Sequence, residues 1–341
     1  MKKRGYYVAR QAHKKKRGKR RRWLVWLGGV LLVVLIAAAG YGIYLYDKLQ
    51  DTVNEIHEPL SDEQQSEETG SNGQTGNDDQ NADGHSNYSD STDPDNKKET
   101  LNFLLLGVDE RANDQGRSDT MILVSANPNT DSMLMMSIPR DTYTEIPGKG
   151  MDKINHAYAF GGTSLAVKTV KQTFDVPIDF YIKVNMEGFR DGIDALNGIT
   201  VENSFGFTQD GKNFPEGEIN LNGEEALAYT RMRKKDPQGD LGRNERQRQV
   251  IQAALDQAAN FSNFTKIGRI LDIVGGNVRT NMKMENMRNV YSHYRQTRKT
   301  ILSLEIDGSG KIMEDGIWYY MVTNQELARL NAELVEHMEA R

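Results

Sequence analysis

The chain has 341 residues, no cysteine and a formal net charge of −5 at neutral pH. The length is enough for one large domain or two ordinary ones with appendages, and the lack of cysteine excludes disulfides, catalytic thiols and cysteine-based metal sites. Twelve of the 43 Lys and Arg residues lie within residues 1–22, so the rest of the chain carries 31 basic and 48 acidic side chains, a balance of −17.

Residues 1–22 form a basic tail that contains no acidic residue. Next to an apolar stretch, such a tail is typical of the cytoplasmic end of a membrane anchor, where it also attracts anionic lipid headgroups. The alternative interpretation is an arm that binds nucleic acid. We expect no nucleic-acid partner, because the cations lie directly against the apolar stretch.

Residues 23–46 carry no charge over 24 positions. As a helix they would extend about 36 Å at ~1.5 Å per residue, against a hydrocarbon core of ~30 Å. Tryptophans at one end and tyrosines at the other match the aromatic belts of the two interfaces. The sequence predicts an uncleaved signal-anchor helix, so the remainder would be exported as a single-pass type II membrane protein; a cleaved signal peptide is the alternative.

Residues 47–100 are predicted to be a disordered acidic linker. Residues 51–100 contain fourteen Asp or Glu and two Lys, with few apolar side chains. A segment of this composition cannot bury enough apolar surface to fold, and like charges keep it extended. The folded, extracellular domain is therefore predicted to span residues 101–341.

Three short apolar runs open that domain, at residues 102–108, 120–126 and 132–138. Their length and their turn-forming or charged boundaries favour strands over helices. If they form a meander, Asp109, Asp119 and Arg140 meet at one edge of the sheet, with Arg111 and Arg117 in the intervening loop.

Two carboxylates and three guanidinium groups are more than an apolar core requires. Carboxylates can hold Mg²⁺, which typically takes one or two from the protein and completes its shell with water and phosphate oxygens. Arginine binds phosphate through a planar fork. The mixture indicates a phosphorylated substrate; the alternative is that these residues pair with one another at the surface.

Helices and strands alternate through the rest of the chain, which predicts an α/β fold: a three-layer α/β/α sandwich with a mixed central sheet. The predicted helices are 163–174, 186–196, 223–230, 245–260, 266–274, 283–297 and 324–339. The predicted strands are 176–184, 199–201, 218–221, 301–306 and 317–320.

A second charged stretch, residues 229–249 (YTRMRKKDPQGDLGRNERQRQ), carries Arg231 and Arg233 at a helix end. These two side chains would point alike only if the backbone between them is extended. Asp240 follows in a Pro-Gly turn, and Arg243, Arg246 and Gln247 open the next helix, whose free N–H groups favour an anion. A solvated charge run with pairs along the helix is the alternative.

Together, LLLGVDER, GRSDTMILVS, SIPRD, KINHAYAFGG and the TRMRK…GDLGRNERQRQ block resemble the LytR-CpsA-Psr family, over about residues 101–259 and in the anchor-plus-linker layout. The resemblance implies a membrane-anchored phosphotransferase of a bacterial, Gram-positive cell envelope. It would move a phosphate-linked anionic glycopolymer, such as wall teichoic acid, from an undecaprenyl-pyrophosphate carrier to peptidoglycan, at the 6-hydroxyl of N-acetylmuramic acid (MurNAc).

Carried over by position, the resemblance implies Asp109 and Asp119 as ligands of Mg²⁺ or Mn²⁺. It implies that the pyrophosphate is held by a set of arginines and one glutamine: Arg111, Arg117, Arg140, Arg231, Arg233, Arg243 and Gln247. Arg140, Arg231 and Arg233 would take part in catalysis, with Asp240 close to the reacting centre. The loop that holds Arg111 and Arg117 varies in length in the family.

The carrier's isoprenoid tail would need an apolar cavity beside the charged edge. The candidate lining residues are on the first three strands: Leu104, Leu106, Met121, Leu123, Met133 and Met135. Ordinary core packing explains the same residues. A non-catalytic module that binds polyprenyl phosphate or the wall, and a polyprenyl pyrophosphatase, are the alternative functions.

Overall fold

The computed structural model describes residues 40–61, 99–109, 116–233, 236–259, 266–314 and 316–341. The chain divides into two compact units, residues 1–51 and residues 52–341. In the first unit, residues 40–51 are helical. Within the described ranges no helix has both the length and the apolar character needed to cross a bilayer. The predicted basic tail and residues 23–39 of the predicted anchor lie outside those ranges.

The second unit is an α/β fold. Its strands are β1 (Leu101–Val108), β2 (Ser118–Asn127), β3 (Ser132–Ser137), β4 (Tyr143–Ile146), β5 (Gly150–Lys153), β6 (Phe180–Asn185), β7 (Ile199–Asn203), β8 (Phe207–Gln209), β9 (Lys212–Phe214), β10 (Gly217–Leu221), β11 (Val278–Thr280), β12 (Thr300–Leu304), β13 (Ser309–Ile312) and β14 (Trp318–Met321). Its helices are α1 (His156–Phe174), α2 (Met186–Ala195), α3 (Gly223–Arg231), α4 (Asp240–Ala259), α5 (Ile267–Asn277), α6 (Met284–Asn289) and α7 (Asn324–Glu339).

The central sheet has six strands in the order β11-β6-β1-β2-β3-β12. Strands β1, β2 and β3 form the predicted antiparallel meander. Strand β6 joins β1 in parallel and β12 joins β3 in parallel, whereas β11 runs antiparallel to β6. The sheet is therefore mixed, as predicted.

Apolar side chains cover both faces of this sheet, because successive residues of a strand point to opposite sides. One face packs against α1 and α7, with Leu104 and Leu123 in contact with the cluster that includes Val167 and Leu330. The other face carries Phe103, Ile122 and Met135, with residues of α4 and α6 packed against them. Helices thus lie on both sides of the sheet.

A third apolar cluster joins α2, α3 and α4 to the paired strands β7 and β10 and the hairpin β8–β9. Tyr229 of α3 belongs to this cluster, with its ring stacked on that of Phe207 and tilted against that of Phe214. Burial raises the pKa of Tyr229 to about 12. Its hydroxyl donates a hydrogen bond to the side-chain oxygen of Gln249 at 3.1 Å.

Residues 52–61 differ from the linker prediction, because they pack on the folded unit. Val53 and Ile56 are buried. The N–H of Glu58 donates to the carbonyl of Thr280 on the edge strand β11 at 2.8 Å, and the hydroxyl of Tyr181 donates to the carbonyl of Glu58 at 2.6 Å. Residues 47–51, also predicted to be disordered linker, are helical, and residues 62–98 of the predicted linker lie outside the described ranges.

Two helices differ most from their predicted bounds. Helix α1 begins at His156 rather than at residue 163, with a break at Gly161 and Gly162, whose backbone angles are not helical. The predicted helix 283–297 is shorter, because α6 ends at Asn289 and a π-helical turn follows over Val290–Tyr294. That segment buries Tyr294, whose hydroxyl donates to the carbonyl of Glu99 at 2.6 Å.

Candidate functional site

A β-bulge near the start of β2 places Asp119 at the edge of the central sheet where the strands end. Gly107 of β1 pairs with Thr120 of β2, and the next residue, Val108, pairs with Ser118. Asp119 is thus the extra residue of the bulge, a feature that bends a strand and re-aims a side chain. Asp109 follows β1 at the same edge, where its N–H donates to the carbonyl of Arg117 at 3.3 Å.

Arg140 reaches the same edge from the end of β3. Its guanidinium donates to the carboxylate of Asp119 at 3.0 Å and lies 3.5 Å from the carboxylate of Asp141. Asp141 in turn forms an ion pair with Lys153 at 2.6 Å. The meander therefore brings Asp109, Asp119 and Arg140 together, as its connectivity predicts.

Arg231 and Arg233 come from the end of α3. A capping box fixes the start of this helix, since Asn222 and Glu225 exchange hydrogen bonds between side chain and backbone. The helix ends at Met232, whose backbone is extended (φ −63°, ψ 131°) and whose side chain is fully buried. The extended residue leaves Arg231 and Arg233 exposed on either side of it, which is the geometry that sequence reasoning required.

Helix α4 adds two more polar side chains. Arg243 lies in its first turn and is largely buried. Gln247, one turn later, donates from its amide to the hydroxyl of Thr120 on β2 at 3.2 Å. This contact ties the beginning of α4 to the strand that carries Asp119.

The two predicted metal ligands, four arginines of the predicted anion site and Gln247 line one cavity of about 880 Å³. The charged and amide side chains in its wall are Asp109, Asp119, Arg140, Arg231, Arg233, Arg243, Asn185, Gln209 and Gln247. Four guanidinium groups and two carboxylates give this wall a formal excess of two positive charges. A cavity with this charge suits a polyanionic ligand, because forked guanidinium groups bind phosphate oxygens in pairs.

Apolar residues line the same cavity. They come from β1, β6, α2, α3 and α4, and include Leu105, Ile182, Val184, Met186, Phe189, Leu227 and Ile251. A cavity lined by both charged and apolar side chains suits an amphiphile with an anionic head and a hydrocarbon tail.

The candidate tail-cavity residues were mostly wrong. Of the six, only Leu106 lines the cavity, and it is also a buried residue of the core against α1 and α7. Leu104, Met121 and Leu123 belong to that same core, whereas Met133 and Met135 pack on the other face. Both faces of the sheet are apolar, so the sequence does not show which face opens into a cavity.

Three predicted site residues are not placed in the cavity. Arg117 is exposed just before β2 and is not part of the cavity wall. Arg111 lies outside the described residues, as does the side chain of Asp240, whose backbone begins α4. The roles predicted for these three residues stay predictions.

The sequence reasoning missed several polar residues of the cavity wall, Thr120, Asn185, Gln209 and Thr230. Only Thr120 had a signal, since it follows Asp119 directly. The sequence reasoning also placed Arg246 beside Arg243 at the start of α4, where it expected an anion. Arg246 instead forms a buried ion pair with Asp236, beneath the loop that carries Arg231 and Arg233.

The mixed sheet carries a cavity that is lined by both charged and apolar side chains, a combination that suits an amphiphilic polyanion. The chain belongs to the LytR_cpsA_psr family, whose model matches residues 43–336. It is 48% identical to the polyisoprenyl-teichoic acid–peptidoglycan teichoic acid transferase TagU of Oceanobacillus iheyensis, across 96% of this chain and 98% of that protein. It is 44% identical to TagU of Bacillus subtilis, across 95% and 98%.

Solved structures show the same fold. The crystal structure of B. subtilis TagU is 46% identical and covers 72% of this chain and 99% of that chain, with a TM-score of 0.59. A structure of TagT bound to LIIa-WTA is 33% identical and covers 71% and 91%, with a TM-score of 0.60.

Proposed function

We propose that this protein is a transferase that moves a phosphate-linked anionic glycopolymer, of the wall teichoic acid type, from an undecaprenyl-pyrophosphate carrier to peptidoglycan. Membership of the family supports the proposal, as do relatives that are named polyisoprenyl-teichoic acid–peptidoglycan teichoic acid transferases over almost their whole length. The acceptor is the 6-hydroxyl of MurNAc, as the resemblance implies.

One observation carries the proposal: four arginines and a set of apolar side chains line a single cavity. The donor has the same two parts, a doubly charged pyrophosphate joined to an isoprenoid chain. The arginines would neutralise the pyrophosphate, and Ile182, Leu227 and Ile251 would contact the chain.

In the transfer, the acceptor hydroxyl attacks the phosphorus that bears the glycopolymer, and the bond from that phosphorus to the bridging oxygen breaks. The lipid phosphate leaves with the electron pair of that bond. Phosphoryl transfer asks a protein mainly for alignment and for cations around the leaving oxygen. Arg140, Arg231 and Arg233 supply those cations, and the proton of the acceptor hydroxyl goes to a carboxylate, for which Asp240 is the candidate.

Asp109 and Asp119 fit a Mg²⁺ or Mn²⁺ ion. Both line the cavity, and two carboxylates are the number that Mg²⁺ usually takes when phosphate oxygens complete its shell. Within the described residues no group of three or more His, Asp or Glu could hold a metal ion. When bound, the ion would offset charge on the pyrophosphate.

The location follows from the same proposal. Residues 23–46 would span the cytoplasmic membrane, with the basic tail inside and the catalytic unit at the outer surface. Both substrates are then accessible, since the lipid carrier lies in the membrane and peptidoglycan lies outside it.

The test uses the full chain in detergent, with a polyprenyl-pyrophosphate-linked glycopolymer, a peptidoglycan fragment and Mg²⁺ or Mn²⁺. We expect glycopolymer covalently linked to MurNAc, detected by mass spectrometry, and loss of that product with EDTA. Release of free glycopolymer phosphate without linkage would instead identify a pyrophosphatase. Tight donor binding without any product would identify a binding module.

A further inference from the structure

Arg246 and Asp236 form an ion pair that is almost completely buried. The exposed fraction of the side chain is 5% for Arg246 and 2% for Asp236. The guanidinium also lies 5.5 Å from the ring centre of Phe207 and 5.8 Å from that of Tyr229. The aromatic rings shield the pair from water, which strengthens the attraction between the two charges.

The remaining hydrogen bonds of Arg246 fix the backbone around Arg231. Its Nε donates to the carbonyl of Tyr229 at 3.2 Å, and one Nη donates to the carbonyl of Met232 at 2.5 Å. These carbonyls lie two residues before and one residue after Arg231. The guanidinium thus satisfies carbonyl groups that the end of α3 leaves without a helical partner.

Asp236 connects Arg233 to Arg243. Its N–H donates to the carbonyl of Arg233 at 3.2 Å, and its own carbonyl accepts from Gly239 at 3.0 Å. The carbonyl of Gly239 then accepts from the N–H of Arg243 at 3.4 Å. One carboxylate oxygen of Asp236 accepts from the N–H of Gln238 at 2.7 Å, which fixes the turn.

Because Gly242 has no side chain, the carboxylate of Asp236 can occupy the space beside it. A Cβ at this position would lie 2.0 Å from Oδ2 of Asp236, closer than any real contact. Even an alanine at residue 242 would therefore push Asp236 away from Arg246.

An ion pair buried in this way is not an efficient source of stability, since the cost of removing both charges from water offsets most of their attraction. What it does supply is one defined arrangement of the groups bonded to it. Here those groups are the backbone on both sides of Arg231, the carbonyl of Arg233 and, through one turn, the N–H of Arg243. All three arginines line the cavity.

We propose that Arg246 and Asp236 are positioning residues that set the spacing of Arg231, Arg233 and Arg243 for a pyrophosphate. The proposal rests on the proposed function, which places the donor pyrophosphate among these arginines. Neither Arg246 nor Asp236 lines the cavity, so the pair acts on the substrate through the three arginines alone.

The test measures binding of farnesyl pyrophosphate to the full chain in detergent. Arg246→Lys keeps the positive charge but cannot donate in three fixed directions as the planar guanidinium does. We expect it to bind the probe at least tenfold more weakly, and Gly242→Ala to show a similar loss through displacement of Asp236. Val250→Ala, a buried apolar change on α4, is the control for general loosening and should bind within twofold of wild type.

A second measurement separates positioning from a merely structural role. If Arg246 acts through the three arginines, the loss caused by Arg246→Lys should be at least threefold smaller in an Arg231→Ala, Arg233→Ala or Arg243→Ala background than in wild type. Equal losses in wild type and in all three backgrounds would overturn the proposal, as would wild-type affinity in both Arg246→Lys and Gly242→Ala. Failure of the wild-type protein to bind the probe would instead refute the donor site of the proposed function.

Discussion

Arg140→Ala should separate stability from activity. The ion pair between Arg140 and Asp119 is about one-third exposed on both sides, at 32% and 34%. Pairs of this exposure typically contribute about 0.2–1 kcal/mol. A loss of that size shifts the melting temperature of a unit this large by only a few degrees, about 2–4 °C per kcal/mol.

The expected effect on activity is far larger. Arg140 would stabilise charge that grows on the leaving phosphate during transfer, and removal of one such donor typically costs about 10²–10³ in rate. We expect Arg140→Ala to lower kcat for glycopolymer transfer by that factor, measured with saturating donor and peptidoglycan, while thermal unfolding stays within a few degrees of wild type.

Arg298→Ala is the matched control. Arg298 forms an ion pair with Asp256 and is comparably exposed, at 26%, but it is not part of the cavity wall. It should change the melting temperature by a similar amount and leave transfer unaltered. A kcat for Arg140→Ala within threefold of wild type would refute the assignment of Arg140 to the reacting centre.

Three further predictions concern the cavity, the N-terminal segment and pH. Leu227→Trp adds bulk to the apolar wall and should raise the KM for the donor about tenfold while Leu227→Met does not; an unchanged KM would place the lipid elsewhere. Val53→Asp buries a charge and should lower the free energy of unfolding in urea by roughly 3 kcal/mol or more, whereas a folded protein of wild-type stability would show that residues 52–61 do not pack as described. Burial lowers the pKa of His337 from its usual 6.5, so the folded protein disfavours the charged form. The stabilisation from neutral His337 should therefore be complete above pH 6.5 and decline as the pH falls below that value through the lower folded-state pKa; the pH dependence of unfolding should be shallower in His337→Gln, and identical slopes would contradict this.

The meander was predictable because it is determined by residues that lie close together in the sequence. Short apolar runs separated by turn residues define antiparallel neighbours, and the connectivity alone then places Asp109, Asp119 and Arg140 at one edge. For Arg231 and Arg233 the spacing set only a condition, because two residues two apart can point alike only across an extended residue. Met232 is that residue.

Other features depend on long-range packing that residue patterns do not encode. The bulge at Asp119 adds one residue to β2 without leaving a compositional mark. The cavity opens on the face that carries Leu105 and Ile182, but the opposite face is equally apolar. Arg246 looked like a member of the anion site, and only the fold shows that Asp236, ten residues earlier, neutralises it.

The packing of residues 52–61 on the folded unit attaches one end of the acidic segment that follows them. Residues 61 and 99 both belong to the same folded unit, so both ends of the intervening segment are attached to that unit. A change in the length of the segment then changes a loop-closure entropy, in which a doubling costs only about 0.6 kcal/mol. We expect insertions and deletions there to be inexpensive for folding.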